Sequence, residues 1–477
     1  MRRAMRGLLA LALGVALAFA SVGAEAQARV VGVGAGGGVG AGGGAGAGAG
    51  GGKVGTGGGD TTHLPTGPLF GLGANPPAVP GAGGPPQNEG PHDPDLLVVV
   101  FRAGTPDGTT TDFAGAFNFT IEKQYVLAGL RLRVFLMRIP PGGDLDDLRR
   151  RAAADQRPLW VQPDFRFQSL QSAQQGTQGT AASSAGGGTS KQYALHRIRA
   201  DDLPPSARGQ GVTIALIDSG VARSHESLKG DHITEIDLVS GKDNPPAETH
   251  GTALASIIAG SGKVQGLAPA ADLLAIRAFA EIDPGTGASE GDSFRVSQAV
   301  SIALDRHARI INMSIGGPND PLVRMAIEQA VLTGTVVIAA AGNAGPNAPP
   351  VYPAAQTGVI AVTATDAKDR LFDGANRGDY IALSAPGVDV LAARPGKPAA
   401  SSAYDYFTGT SMATGYATGL AAVLLSADPK LNAVDLRHIL ESSATDLGPP
   451  KKDPAFGWGR IDAAAAFAEI PTVGAAN

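Results

Sequence analysis

No cysteine occurs in the 477 residues, so disulfides, thiolate nucleophiles and zinc–thiolate sites are excluded at once. Aromatic residues are scarce at 5%, and charged residues make up only 17%. A net charge of -5 leaves no basic surplus with which to hold a nucleic acid. Apart from one run near the amino terminus, no apolar stretch approaches the length of a membrane span. Glycine is what the chain has in excess, at 68 residues, many of them before residue 95, accompanied by 34 prolines. The missing disulfides are compatible with export, because a domain large enough to bury its own core needs no cross-links.

Arg2, Arg3 and Arg6, an apolar run over residues 7–20, and small residues at Ala24, Ala26 and Ala28 have the pattern of a secretory signal, assigned to residues 1–28. The run is short for a bilayer span. The expectation is an exported chain, periplasmic or extracellular, with no stable membrane insertion after signal removal. Residues 29–94 are Gly/Pro-rich and cannot bury enough side-chain area to offset backbone entropy, so they read as a low-complexity tether. Within them, Gly51-Gly52-Lys53-Val54 lacks the Ser or Thr that a phosphate loop requires.

Patterned sequence begins near Leu96. Residues 96–101 form an apolar strand candidate, and Leu130, Leu132, Val134 and Leu136 alternate with Arg131, Arg133 and Phe135 as a second. Asp144 is placed to cap a helix through Leu145, Leu148 and Ala152, and residues 159–167 suit a last strand. Residues 95–170 thus read as a small α+β module. Residues 171–192 turn to Gln, Ser, Gly and Ala, the composition of an exposed, cleavable linker. In the remainder, residues 193–470, strands are expected at 212–217, 272–277, 310–313, 336–340 and 359–362. Helices are expected at 250–259, 293–306, 321–332, 411–426 and 433–442. Apolar strands without alternation, separated by amphipathic helices, predict an α/β domain with a mostly parallel sheet flanked by helices. Ligands on such sheets bind beyond the carboxyl ends of the strands.

Four segments carry candidate chemistry. Asp218 ends the apolar stretch Ile214-Ala215-Leu216-Ile217, and alone it would pass for a turn or capping aspartate. His250, followed by Gly251 and Thr252, opens a small-residue helix; an imidazole suits proton transfer near neutral pH, though one histidine there also fits a surface or cap. Ser411, in Gly409-Thr410-Ser411-Met412-Ala413-Thr414, opens a long Ala- and Leu-rich helix where backbone N–H groups are unpaired. An ordinary N-cap serine has the same look. Asn343 follows the stretch 336–342 and offers an amide donor at the same sheet edge, or simply a turn. His225 and His232 lack a metal-binding spacing and read as solvated surface histidines.

Together, and in the order Asp, His, Ser, these segments resemble the subtilisin family of serine proteases. Ile217-Asp218-Ser219-Gly220, His250-Gly251-Thr252 and the Ser411 string match its three signature segments, and Asn343 falls in its oxyanion segment. The resemblance spans residues 193–468 and implies a serine endopeptidase with a Ser411 nucleophile, a His250 base, an orienting Asp218 and an acyl-enzyme intermediate. It implies peptide substrates held along Ser314, Ile315 and Gly316 on one side and Ala340 and Gly342 on the other. It also implies that residues 95–170 are an inhibitory propeptide, removed by a cut in the linker.

Departures are visible. Gly415 and Tyr416 stand where the family usually has Pro and His, and glycine there is expected to loosen the helix and alter the space behind Ser411. Ala253 replaces a second histidine, and residues 259–267 are short where relatives hold calcium. The chemistry requires no cofactor, and a structural calcium lacks a clear motif. The competing reading is an exported, non-catalytic binding or surface protein on a protease fold, suggested by Gly415, Tyr416 and the glycine-rich extension.

Overall fold

The computed structural model describes residues 90–170, 192–230, 232–239, 248–282, 288–395 and 403–473. The signal, nearly all of the tether and all but the last residue of the linker expected from the sequence lie outside the described residues.

The first body contains β1 (His92–Arg102), α1 (Asp107–Ala116), β2 (Thr120–Leu127), β3 (Leu132–Arg138), α2 (Leu145–Ala153) and β4 (Trp160–Ser169). Its strands pair antiparallel in the order β2-β3-β1-β4. Strand periodicity gives the sheet two apolar faces. Leu97, Val99, Phe101, Phe135 and Met137 pack with Phe113 of α1 and Ala152 of α2 in a local core. Val98, Val100, Leu132, Val134 and Leu136 belong instead to a core shared with the following domain. That division explains why residues 96–101 of β1 are apolar without interruption, whereas a strand with one wet face alternates. Asp144 caps α2, accepting from Asp147 N at 2.8 Å.

The second body continues with α3 (Tyr193–Arg197), β5 (Thr213–Asp218), β6 (Ile233–Asp237), α4 (Thr249–Ala259), β7 (Asp272–Arg277), β8 (Ala280–Glu281), β9 (Ser289–Asp292) and α5 (Ser293–Asp305). Then come β10 (Ile310–Met313), β11 (Ile315–Gly316), α6 (Pro321–Leu332), β12 (Val336–Ala340), β13 (Ile360–Thr365) and β14 (Ile381–Pro386). The hairpin β15 (Val390–Ala393) and β16 (Tyr404–Phe407) precedes α7 (Thr410–Ala427), α8 (Ala433–Ser442) and α9 (Ala463–Val473). Seven strands form a parallel sheet in the order β14-β13-β12-β10-β5-β7-β6.

Side chains alternate across this sheet. Ile214, Leu216, Ile338 and Val362 face α4, α7 and α8, while Ala215, Ile217, Ile311, Met313 and Val337 face α5 and α6. Asp292 caps α5 and Asp320 caps α6, accepting from Arg295 N at 2.7 Å and Val323 N at 2.9 Å; Pro321 opens α6 where no N–H is needed. Helices α5 and α6 are covered by the parallel sheet on one side and by the antiparallel sheet of the first body on the other.

The two bodies also share strands. β4 runs on into an antiparallel pairing with β9, and its last residues pair with β11, Ile315 opposite Ser169 and Gly316 opposite Gln168. The carboxyl end of β4 therefore lies as an inserted strand between two edges of the α/β domain, aimed at the carboxyl ends of β5, β10 and β12.

Candidate active site

Asp218 is the last residue of β5 and is fully buried. Its carboxylate accepts from Ser219 N at 2.7 Å and holds His250 Nδ1 at 2.8 Å and 3.0 Å. His250 stands in the first turn of α4, 1% exposed. Close approach of α4 to the end of β5 makes this pair possible. A Cβ on Gly251 would lie 2.6 Å from the carbonyl oxygens of Ser219 and Gly220, so only glycine fits beside the histidine. Gly251 N donates to Ser219 Oγ at 3.0 Å and Ala222 N to Thr252 Oγ1 at 2.9 Å, fastening helix to turn. The three-residue string is thus one histidine and its two fastenings.

With Nδ1 engaged by the carboxylate, the other ring nitrogen, Nε2, is buried and has no hydrogen-bond partner. A buried nitrogen left unpaired is costly, and a neutral ring nitrogen so placed is able to take up a proton.

Ser411 lies in the first turn of α7, whose exposed N–H groups carry the positive end of the helix dipole. Its hydroxyl donates to the carbonyl oxygen of Leu170 at 2.7 Å, and Asn343 Nδ2 donates to the same oxygen at 2.7 Å. Asn343 is turned for this by Thr410, whose backbone N–H and Oγ1 both reach Asn343 Oδ1, at 3.0 Å and 2.9 Å. Gly342 supplies the bend before it: φ is +113°, and a Cβ would lie 2.5 Å from Asn376 Nδ2. One peptide carbonyl therefore sits between a hydroxyl and an oriented amide, while His250 Nε2 and Ser411 Oγ are not hydrogen-bonded to each other.

Leu170 N donates to Ser314 O at 3.0 Å, extending the β4–β11 ladder by one bond. Ile315 and Gly316 pair with that strand directly. Ala340 is buried inside β12, and Gly342 N donates to Thr410 Oγ1 at 3.2 Å; among the described residues neither bonds to β4. The second flank of the strand is β9, whose Glu290, Gly291 and Asp292 pair with Gln168, Phe167 and Arg166. Sequence reasoning missed β9, Thr410 and Leu170. Thr410 adjoins the serine within the quoted string, and Leu170 marks the change from apolar strand to polar linker.

The departures from the family pattern now have places. Gly415 lies where α7 crosses α4, its ideal Cβ position 3.1 Å from Ile257 Cγ2, and Gly419 lies against Leu267. Small residues there let the two helices approach, a packing role in addition to the loosening expected. Tyr416 is 1% exposed and belongs to the core between sheet and helices. His225 corrects the surface reading. It is buried, its Nε2 bonds Ala403 O at 2.7 Å and its Nδ1 accepts from Ser227 N at 3.1 Å, so it caps a short turn. His232 is exposed beside Asp272. Among the described residues no group of His, Asp and Glu is arranged to hold a metal ion, and no helix is long and apolar enough to cross a membrane.

The model of the subtilase family matches residues 209–459. The chain is similar to thermitase of Thermoactinomyces vulgaris, 33% identical over 265 residues that cover 54% of this chain and 90% of thermitase. It is 34% identical to subtilisin DY of Bacillus licheniformis over 265 residues, 54% of this chain and 92% of that protein. Among solved structures, fervidolysin of Fervidobacterium pennivorans, described as a keratinolytic enzyme related to subtilisin, superposes with a TM-score of 0.65 at 24% identity. That likeness of fold covers 80% of this chain and 62% of fervidolysin.

Proposed function

The chain belongs to the subtilase family and is a serine endopeptidase; from that premise we propose that it is exported as a zymogen and cuts polypeptides through Asp218, His250 and Ser411. The observation that carries the reading is the Leu170 carbonyl oxygen, held at 2.7 Å by both Ser411 Oγ and Asn343 Nδ2. In the reaction the Ser411 hydroxyl hydrogen turns from that oxygen to His250 Nε2 while Oγ attacks the carbonyl carbon. Asp218 fixes the Nδ1–H tautomer and stabilises the imidazolium. Negative charge gathers on the carbonyl oxygen, where Asn343 Nδ2 binds it more strongly than it binds the neutral carbonyl and the Ser411 backbone N–H is a second donor. His250 then protonates the departing amine, and water admitted to the same base releases the acyl-enzyme. No cofactor or metal is required by these steps.

The zymogen part rests on occupancy: residues of β4 fill the groove that a peptide substrate would occupy as an added strand. The signal-like residues 1–28 support export. A serine-directed phosphonate labels Ser411 in the processed enzyme and fails to label Ser411→Ala, and the full Ser411→Ala chain keeps its entire mass after folding. Labelling that is unchanged in Ser411→Ala would remove the nucleophile assignment.

A further inference from the structure

Three elements deliver the reacting groups, and no bond between His250 and Ser411 fixes their spacing. Asp218 ends β5, His250 opens α4 and Ser411 opens α7; the Ser411 hydroxyl is bonded to Leu170, and His250 Nε2 has no hydrogen-bond partner. The approach of Ser411 to His250 is therefore set by the backbone that carries each. The chain enters α7 from the hairpin β15–β16, which forms a two-stranded sheet of its own. A hairpin without a third strand is marginal in water and depends on support from its surroundings.

That support comes from the loop that leaves Asp218. His225 on this loop is buried, and its Nε2 donates to the carbonyl oxygen of Ala403, just before β16, at 2.7 Å. Its Nδ1 accepts from Ser227 N at 3.1 Å, so the ring is neutral with its hydrogen on Nε2. The Tyr404 hydroxyl donates to Glu226 Oε1 at 2.6 Å and lies 2.9 Å from Ser227 Oγ. The His225 and Tyr404 rings meet edge to face at 5.2 Å, and Lys263 Nζ stands 4.6 Å from the centre of the Tyr404 ring. Loop and hairpin are both tied to α4 and its exit. Ser261 N donates to Ser227 O at 2.9 Å, and Ala393 N of β15 donates to Ser256 Oγ at 2.9 Å. Beyond β16, Gly409 N donates to Gly387 O at 2.8 Å, directly before Thr410 and Ser411. The carriers of Asp218, His250 and Ser411 are thus fastened to one another.

We propose that His225 and Tyr404 are positioning residues for peptide cleavage: they clasp the hairpin to the Asp218 loop and so bring Ser411 within reach of His250 Nε2. The inference rests on the roles of Asp218, His250 and Ser411 given above and goes further by adding residues that act through the backbone. Both ring nitrogens of His225 are engaged by Ala403 and Ser227, so it takes no part in proton transfer itself. Misplacing reacting atoms by about 1 Å costs on the order of 100-fold in rate. The strands that pair with β4 are β9 and β11 and do not include the hairpin, so substrate binding along them is spared.

The test uses the processed enzyme and expresses kcat per Ser411 that the phosphonate finally labels, so unfolded molecules do not count. Variants that mature slowly are processed by a trace of tagged unmodified enzyme, which is then withdrawn. His225→Ala is expected to lower kcat by about 100-fold with KM little changed, and to slow phosphonate labelling in parallel. Tyr404→Phe keeps the ring and loses one oxygen, and a fall of roughly 10-fold is expected. His225→Gln keeps a donor for Ala403 O and is expected to regain about 10-fold over the Ala variant, whereas His225→Asn, which keeps an acceptor for Ser227 N, is not. Variants that melt at lower temperature yet keep full kcat per labelled site overturn the proposal, as does rescue by Asn and not by Gln. Should His225→Ala fail to fold, Tyr404→Phe decides, and an unchanged kcat there overturns the clasp. An unmodified enzyme whose Ser411 never labels overturns this inference together with the reading beneath it.

Discussion

Asn343 can act on the reacting carbonyl in one orientation only, with Nδ2 toward it and Oδ1 away, and Thr410 enforces that orientation with two hydrogen bonds. Replacing Asn343 by Ala removes a donor whose value rises as charge develops, and the loss known for this kind of donor in subtilisin is about 10²–10³-fold in kcat. The same loss is expected here, with KM little changed, in steady-state assays of the processed enzyme. Thr410→Val keeps the backbone bond and removes the hydroxyl, so a smaller fall of roughly 10-fold is expected, again in kcat. A change confined to KM would mean that these two residues bind substrate without favouring the transition state. Asp218, His250, Ser411 and Asn343 were legible because each closes or opens an element with its own local signature. Thr410 and Leu170 were not, since their roles exist only through partners 67, 173 and 241 positions away.

Elements built from long apolar runs, such as β7, β10, β12 and α6, have the boundaries their sequences imply. β9 and β11 do not announce themselves, because Ser289-Glu290-Gly291-Asp292 carries no apolar pattern and β11 is only two residues long, and both pair with β4 lying between them. β4 also brings Asp164 to the amino end of α5, where it accepts from Phe294 N at 3.1 Å. Asp292, Asp320, Arg295, Ser293, Gln162 and Tyr125 surround this junction. Burial first, then the charge of Asp292, holds the Asp164 carboxyl well above the usual carboxylate range, with Asp320 adding to the effect and Arg295 opposing it. If the module is cut as proposed, docking raises the affinity of this carboxyl for a proton above that in the free module. Docking is therefore fully favoured below the ordinary carboxylate value of about 3.9 and weakens as pH rises through the raised value. Inhibition of the processed enzyme by its released module is expected to weaken with rising pH, and Asp164→Asn to flatten that dependence. An inhibition constant independent of pH in the unmodified pair would contradict this account.

In the molecule as a whole, α5 and α6 lie between two sheets, one belonging to each body. The α/β domain has a second core on its other face that owes nothing to the module. The module has only its local cluster around Phe101, Phe113 and Phe135, and a unit this small depends heavily on every covered face. Hydrogen exchange on Ser411→Ala is expected to find the β1 and β3 amides strongly protected while docked. The same amides should exchange far faster in the separated module, whereas those of β10 and β12 change little. Equal protection of β1 in both states would show that the module stands on its own core. The sequence reading separated residues 95–170 from residues 193–470 by their strand patterns. It concealed their dependence, because an apolar strand reads alike whether its second face meets its own helices or those of a neighbour. The arrangement at Leu170 has a consequence for timing. Nucleophile, amide and target carbonyl come from distant stretches of chain, and they meet only when both bodies are complete and joined. On the proposed zymogen reading, a polypeptide that has gone astray would be unable to cut itself and would stay silent, so each molecule would be licensed to digest others only after passing an inspection that it performs on its own structure.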